Sequence, residues 1–221
     1  MPQRLIGMLI FPRLTQLDMT GPAQVLSRIP GGTVAVAART LDPVCTDSGF
    51  ALVPTAIFDN VPQSDILCVP GGHGVTEALG DHATVDVIRR QALGAKWVTS
   101  VCTGAFLLGR AGLLEGKSAT THWAYTHLLP LVGARHVAER VVEDGNVITA
   151  GGVTAGIDFA LTLTARYAGE EAARRVQLAL EYDPHPPFDS GTPSAAGEEQ
   201  TRGLREHIYD AAAARMAAAL V

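Results

Sequence analysis

Residues Trp97 to Trp123, WVTSVCTGAFLLGRAGLLEGKSATTHW, decide how the rest of the 221-residue chain is read. The run opens with Trp97-Val98-Thr99-Ser100-Val101, rich in β-branched residues, which predicts a buried strand. It then passes through Cys102-Thr103-Gly104 into an apolar-periodic run, Ala105 to Leu114, which predicts a helix. Cys102 therefore falls on a strand-to-helix turn. Ser100 and Gly104 flank it two positions away on either side, as a nucleophile elbow requires, because a tight turn leaves no room there for larger side chains. Such a turn sets the sulfur over the first turn of a helix, where orphan N–H groups and the positive end of the macrodipole favour thiolate over thiol. The expectation is a reactive cysteine. The competing reading is a small buried hydrophobe, the usual state of a free cysteine.

Upstream, Leu5 to Phe11 is a continuous apolar run of strand length, the mark of a central strand buried on both faces. Thr15 to Pro22 leads into a helix expected over Ala23 to Ile29, with Pro22 in its first turn. Asp18, just ahead of that helix, reads as an N-cap or capping-loop residue. It also reads as a functional carboxylate, because it follows the first strand at the sheet edge where open α/β folds bind ligands. Thr33 to Arg39 predicts a second strand and Phe50 to Thr55 a short extended segment. Ile66 to Val69 predicts another apolar strand, with Cys68 in the core, and it ends in Pro70-Gly71-Gly72-His73-Gly74. The glycines form either a plain turn or a loop whose N–H groups approach a ligand. His73 on that loop is by default a solvated histidine. Asp81 to Leu93 predicts a helix with Val85, Ile88 and Leu93 inward, feeding the Trp97 strand in the βαβ pattern of a parallel sheet.

Downstream, Lys117 to His122 predicts a short strand and Ala124 to Val132 a helix ended by Gly133. His122 is a candidate base for Cys102 or, as is commoner at a strand end, a structural hydrogen-bonder. His136 to Val142 and Val147 to Ala150, around Glu143-Asp144-Gly145-Asn146, predict an antiparallel hairpin at an edge. Gly151 to Asp158 starts a long helix reaching about Tyr167, with Thr154 or a neighbour as cap, and a further helix covers Glu170 to Tyr182. Asp183 to Gly197, rich in Pro, Ser and Gly, is a surface tether. Thr201 to Leu220 predicts a last helix with Leu204, Ile208, Ala212 and Met216 on one face, packing on the body or on a second subunit. The chain thus divides into one α/β domain, 1–182, and a tether with its terminal helix, 183–221.

Lys+Arg number 17 against Asp+Glu 22, a formal net charge of -5, so there is no electrostatic footprint for nucleic acid or an anionic membrane. A small neutral partner fits better. Three cysteines, Cys45, Cys68 and Cys102, are too few and too irregularly spaced for a disulfide framework or a zinc site, and a reducing cytoplasm is the expected compartment. The N-terminal apolar run is short, is broken by Pro12-Arg13 and lacks a cleavage pattern, and no segment is long enough to span a membrane.

An elbow cysteine, an acidic residue after the first strand and a Pro-Gly-Gly loop together resemble the PfpI-type branch of the class I glutamine amidotransferase-like superfamily. The resemblance implies a single-domain, flavodoxin-like α/β fold, a mostly parallel sheet with helices on both faces. More narrowly, Gln16 to Pro22, Thr99 to Gly104, Ala119 to Tyr125, Gly151 to Leu161, and Glu181-Tyr182 with Pro186-Pro187-Phe188 are similar to the isocyanide hydratases of that branch. This implies a homodimer that adds water to an isocyanide and yields an N-substituted formamide. Cys102 would be the nucleophile, forming a thioimidate, and Asp18 the acid/base. Thr103 N–H and Gly72 N–H would be the stabilising donors, Val153 and Trp123 the walls of the pocket, and no metal or organic cofactor would take part. Protease-like members carry a histidine directly after the nucleophile, where this chain has Thr103, so peptidase activity is not expected. Sensor members continue into a helix-turn-helix region, and the stretch after about Pro187 is too short and too weakly basic for one. Two other readings share the reactive cysteine: a non-catalytic redox or small-molecule sensing domain with Cys102 held as a sulfinate, and a cysteine-dependent glyoxalase-type enzyme.

Overall fold

The apolar runs become the strands of one sheet in the computed structural model, which describes residues 4–221. The strands are β1 (Arg4–Leu9), β2 (Gly32–Ala38), β3 (Val44–Cys45), β4 (Ala51–Leu52), β5 (Ala56–Ile57), β6 (Ile66–Val69), β7 (Trp97–Val101), β8 (Ser118–Ala119), β9 (Arg135–His136), β10 (Val141–Asp144) and β11 (Val147–Ala150). The α-helices are α1 (Gln16–Leu26), α2 (Val75–Leu79), α3 (His82–Gly94), α4 (Gly104–Arg110), α5 (Ala155–Ala168), α6 (Glu170–Ala179), α7 (Pro193–Ala196), α8 (Glu198–Leu204) and α9 (Asp210–Leu220). A 3₁₀ helix covers Trp123–Val132, and a π-helical turn, Arg205–Tyr209, joins α8 to α9. The main sheet runs β10-β11-β7-β6-β1-β2-β5, parallel except for the β10–β11 hairpin at its edge. Helices α1, α5 and α6 pack as one group and α2, α3 and α4 as another, so the single domain is a flavodoxin-like layered α/β fold.

This order positions the site. β1, β6 and β7 are neighbours in register, with Met8 beside Cys68 and Cys68 beside Thr99, so the chain leaves all three at one edge of the sheet. Parallel strands buried on both faces need apolar side chains throughout, and all four residues of β6 are buried. Ile6, Met8, Phe106 and Phe159 are among the largest fully buried side chains.

Several elements differ from the sequence expectations, each for a local reason. Helix α1 begins at Gln16, with Thr15 in the N-cap position, so Asp18 lies in its first turn rather than ahead of it, and Pro22 lies inside it. Asp18 is therefore not the cap, and Thr15 makes no side-chain cap bond either. Leu93 is 90% exposed instead of inward. Gln91 is buried on the helix instead, because its amide oxygen accepts from Ser64 N–H at 2.8 Å and its nitrogen donates to the Pro62 carbonyl at 3.1 Å. Of Lys117–His122 only β8 is extended, and it pairs with β9, so His136 belongs to that small sheet and not to the hairpin. Helix α4 stops at Arg110, short of Leu114, and α6 at Ala179. In the terminal helix Leu204 and Ile208 face outward, while Tyr209 turns partly inward and Ala213 and Met216 are buried. A stripe spaced strictly by four drifts by about 40° per step on an α-helix, and the π turn adds a further change of phase. No described helix is long and apolar enough to cross a membrane.

Candidate active site

Cys102 is the residue after β7, and its backbone has φ +57°, the left-handed region that β-substituted residues avoid. The turn is held from several sides. Cys102 N–H donates to the carbonyls of Ala150 (3.0 Å) and Gly151 (2.9 Å), and its own carbonyl accepts from the Thr121 hydroxyl at 2.7 Å. The packing also demands small neighbours. A Cβ on Gly71 would come within 2.6 Å of Thr103 N, and one on Gly104 within 2.3 Å of the Val69 carbonyl oxygen.

Asp18 arrives from the first turn of α1 and is buried. One carboxylate oxygen accepts from Gly71 N–H at 3.0 Å, while the other has no hydrogen-bond partner among the described residues. This carboxyl and the Cys102 thiol are close enough to shift one another's titration. Burial pushes the Asp18 pKa from 3.8 up to about 7, opposed by the Gly71 N–H and the thiol, with the Asp47 charge adding a little. Burial and then the Asp18 charge push the Cys102 thiol well above its ordinary range, against the N–H groups of Thr103 and Val153 and the Thr103 hydroxyl. This corrects the expectation of a resting thiolate. Helix α4 has only 7 residues, and its N-terminus does not outweigh the burial of the sulfur together with the Asp18 charge. The pair holds one proton between two acids near neutral pH.

The donors are also distributed differently from expectation. Gly72 N–H is spent on the Thr103 hydroxyl oxygen at 3.0 Å, so Gly72 positions Thr103. Val153, with φ +26°, borders the cavity, and its backbone N–H favours the ionised sulfur. The cavity at Cys102 measures about 220 Å³ and is lined by Asp47, His73, Thr103, His122, Tyr125 and Tyr209, with Thr15, Gly72 and Val153 also bordering it. Trp123 lies behind it, edge-on to Tyr209 with ring centroids 5.3 Å apart. A larger, mainly apolar cleft of about 500 Å³ lies elsewhere, along Phe11, Val44 and Phe58. Arg13–Glu77 and Arg39–Asp81 are paired there, and the one thiol that lines it, Cys45, is exposed rather than buried beside a carboxyl.

His122 is structural in its contacts: its Nδ1 accepts from Ala124 N–H at 3.3 Å, at the start of the 3₁₀ helix. Burial, with His73 nearby, lowers its pKa to about 4, so it is neutral at pH 7. Among the described residues no group of three or more His, Cys, Asp or Glu is arranged to hold a metal. Tyr125, which closes the Ala119 to Tyr125 stretch, and Tyr209 have no site role in the sequence expectations. Tyr125 had a signal, because residues three apart eclipse on a 3₁₀ helix and it therefore shares the face of His122. Tyr209 had none, since the π turn that aims it has no sequence signature.

Comparison with known proteins adds four findings. Residues 4–166 match the DJ-1/PfpI family. The chain is 51% identical to an isonitrile hydratase from Pseudomonas putida over 96% of its own length and 97% of that protein's. The crystal structure of a ThiJ/PfpI family protein from Pseudomonas syringae superposes with a TM-score of 0.95 at 37% identity, covering 100% of this chain and 91% of that one. Drosophila melanogaster DJ-1beta superposes with a TM-score of 0.73 at 26% identity, covering 81% of this chain and 98% of that one.

Proposed function

This chain belongs to the DJ-1/PfpI family, and from that premise we propose that it is an isocyanide hydratase, adding water to R–N≡C to give the N-substituted formamide. The observation that carries the reading is a buried Asp18–Cys102 pair with an unspent carboxylate oxygen, in a chain half identical over nearly its whole length to an isonitrile hydratase.

The terminal carbon of an isocyanide takes up a proton and a nucleophile at the same atom, so the site must deliver both from one side. Ionised Asp18 takes the thiol proton and passes it to that carbon while the Cys102 sulfur bonds to it. The product is a thioimidate, R–N=CH–S–Cys102, with Asp18 ionised again. Asp18 then draws a proton from water, the hydroxyl adds to the thioimidate carbon, and the proton goes to nitrogen. Collapse of R–NH–CH(OH)–S–Cys102 breaks the C–S bond and releases R–NH–CHO, and the hydroxyl proton returns to the pair. An acid with a pKa of about 7 is matched to both directions of transfer at neutral pH. The turn at Cys102 serves as the nucleophile elbow. The N–H groups of Thr103 and Val153 hold the sulfur as its charge comes and goes, and Gly72 fixes Thr103.

The chain is proposed to work as a homodimer in the cytoplasm. Exposed Leu178 and Phe188 favour assembly, closed two-fold dimers are the commonest soluble oligomers, and three free cysteines suit a reducing compartment. Light scattering at micromolar concentration should give twice the chain mass. The function is tested by supplying an alkyl or aryl isocyanide and following the formamide; no turnover by the wild-type protein overturns it.

A further inference from the structure

Tyr209 reaches the cavity from a segment outside residues 4–166, the part of the chain that matches the family. Its ring is built into a cluster and does not lie loose on the surface. Its centroid is 5.0 Å from His122, 5.3 Å from Trp123 and 6.0 Å from Tyr125, with both aromatic partners edge-on at 77° and 78°. The Arg205 guanidinium, at the start of the π turn, lies over the Trp123 ring at 5.4 Å from its centroid. Behind Tyr209, Ala213 and Met216 are buried as α9 packs on α2 and on the 3₁₀ helix. The π turn is what lets these fit together. Bonding from i to i+5 over Arg205–Tyr209 widens the helix by one residue, so that Arg205 meets Trp123 while Tyr209 meets the cavity.

We propose that the C-terminal segment is the specificity element of the site, with Tyr209, supported by Trp123 and Arg205, forming the wall against which the substituent of the isocyanide packs and favouring flat aromatic groups. The inference rests on the hydratase reading for its substrate. It rests on the geometry for its chemistry. Asp47, Thr15 and Thr103 give the cavity its polar groups, whereas Tyr125, Tyr209 and Val153 offer apolar surface. Both tyrosines line the same cavity as Cys102, which sets them beside the reacting atom. Packing of an aryl group against the Tyr209 ring, which Tyr125 and Trp123 brace edge-on, gives the edge and offset contacts that aromatic pairs prefer.

The test compares phenyl isocyanide with methyl isocyanide in the full-length protein. Tyr209→Ala should lower the ratio of kcat/KM for phenyl over methyl roughly 10-fold or more, mainly through KM for the phenyl compound, the scale expected when an apolar wall is removed. Tyr209→Phe should restore the ratio, because the ring and not the hydroxyl makes the contact. Equal losses for both substrates, or an unchanged ratio, overturn the proposal. A second readout needs no turnover: calorimetric affinity of the Cys102→Ala protein for N-phenylformamide should fall about 10-fold or more when Tyr209→Ala is added. An unchanged affinity, or no binding to begin with, overturns the aromatic wall whether or not the protein hydrates isocyanides. If the wild type is inert toward both isocyanides while Tyr209→Ala weakens formamide binding, the hydratase reading fails and the wall stands.

Discussion

Cys68, within β6, and Cys102, just past the neighbouring strand β7, are almost equally buried, 4% and 6% exposed, but they sit in different environments. Cys68 lies within β6, where the Thr99 hydroxyl donates to the Leu67 carbonyl at 2.9 Å and lies 3.1 Å from the sulfur, and burial pushes its thiol up to about 12. Cys102 stands one residue past the end of β7 with a left-handed backbone, two N–H groups aimed at its sulfur, a cavity above it and a displaced carboxyl beside it. Burial alone makes an inert thiol in both places. A second acid that competes for the same proton makes the difference, and the sheet edge is where the topology can supply one.

The comparison breaks most easily at the sulfur. Cys102→Ala should lose isocyanide turnover by at least roughly 10⁴-fold, as removal of a nucleophile does, while Cys68→Ala keeps it. Comparable activity in both variants would erase the distinction. Asp18→Asn should come next, losing roughly 10²- to 10⁴-fold in rate because an amide cannot shuttle a proton. Its stability should move the other way. The folded pKa of Asp18, about 7, lies above 3.8, so the folded state holds the proton more tightly. The cost of a buried charge is absent below pH 3.8, grows between 3.8 and 7 and is complete above that. Asparagine carries no such charge, and Asp18→Asn should melt above wild type at pH 8 by at least roughly 2–4 °C, the gap closing toward pH 4. A lower melting temperature at pH 8 would make Asp18 a structural anchor.

A smaller effect is the pH profile. Below about pH 7 the pair carries two protons and the carboxyl cannot accept the thiol proton, so kcat/KM should rise through about 7 and then level off. A flat profile between pH 6 and 8 would remove Asp18 from the proton path. The smallest effect belongs to Cys68: Cys68→Ala should cost about 1–2 kcal/mol of stability in chemical denaturation, the price of a small void in a packed strand, with the pH profile unmoved.

The sheet was legible because strands buried on both faces must be continuous apolar runs, as Leu5 to Phe11 and Ile66 to Val69 are. The strand-to-helix turn at Cys102 was legible from its small neighbours, since Gly104 has no room for a side chain against Val69. The state of the sulfur was not. It depends on Asp18 arriving from a helix that starts seven residues earlier than Ala23, and on a desolvation that no local pattern encodes. Tyr209 was hidden for a related reason. Helical periodicity placed Leu204 and Ile208 inward, and the π turn that follows Leu204 and contains Ile208 shifted the phase.

The central claim is that the Asp18–Cys102 pair adds a thiol across the isocyanide carbon, and the most direct measurement is peptide mapping by mass spectrometry of wild-type protein acid-quenched during turnover of phenyl isocyanide. The account predicts an adduct of one isocyanide mass on the peptide bearing Cys102, present in the wild type, absent in Asp18→Asn and absent from the Cys45 and Cys68 peptides. Formamide formation at full rate with the adduct on Cys45 or Cys68, or undiminished in Cys102→Ala, would contradict it.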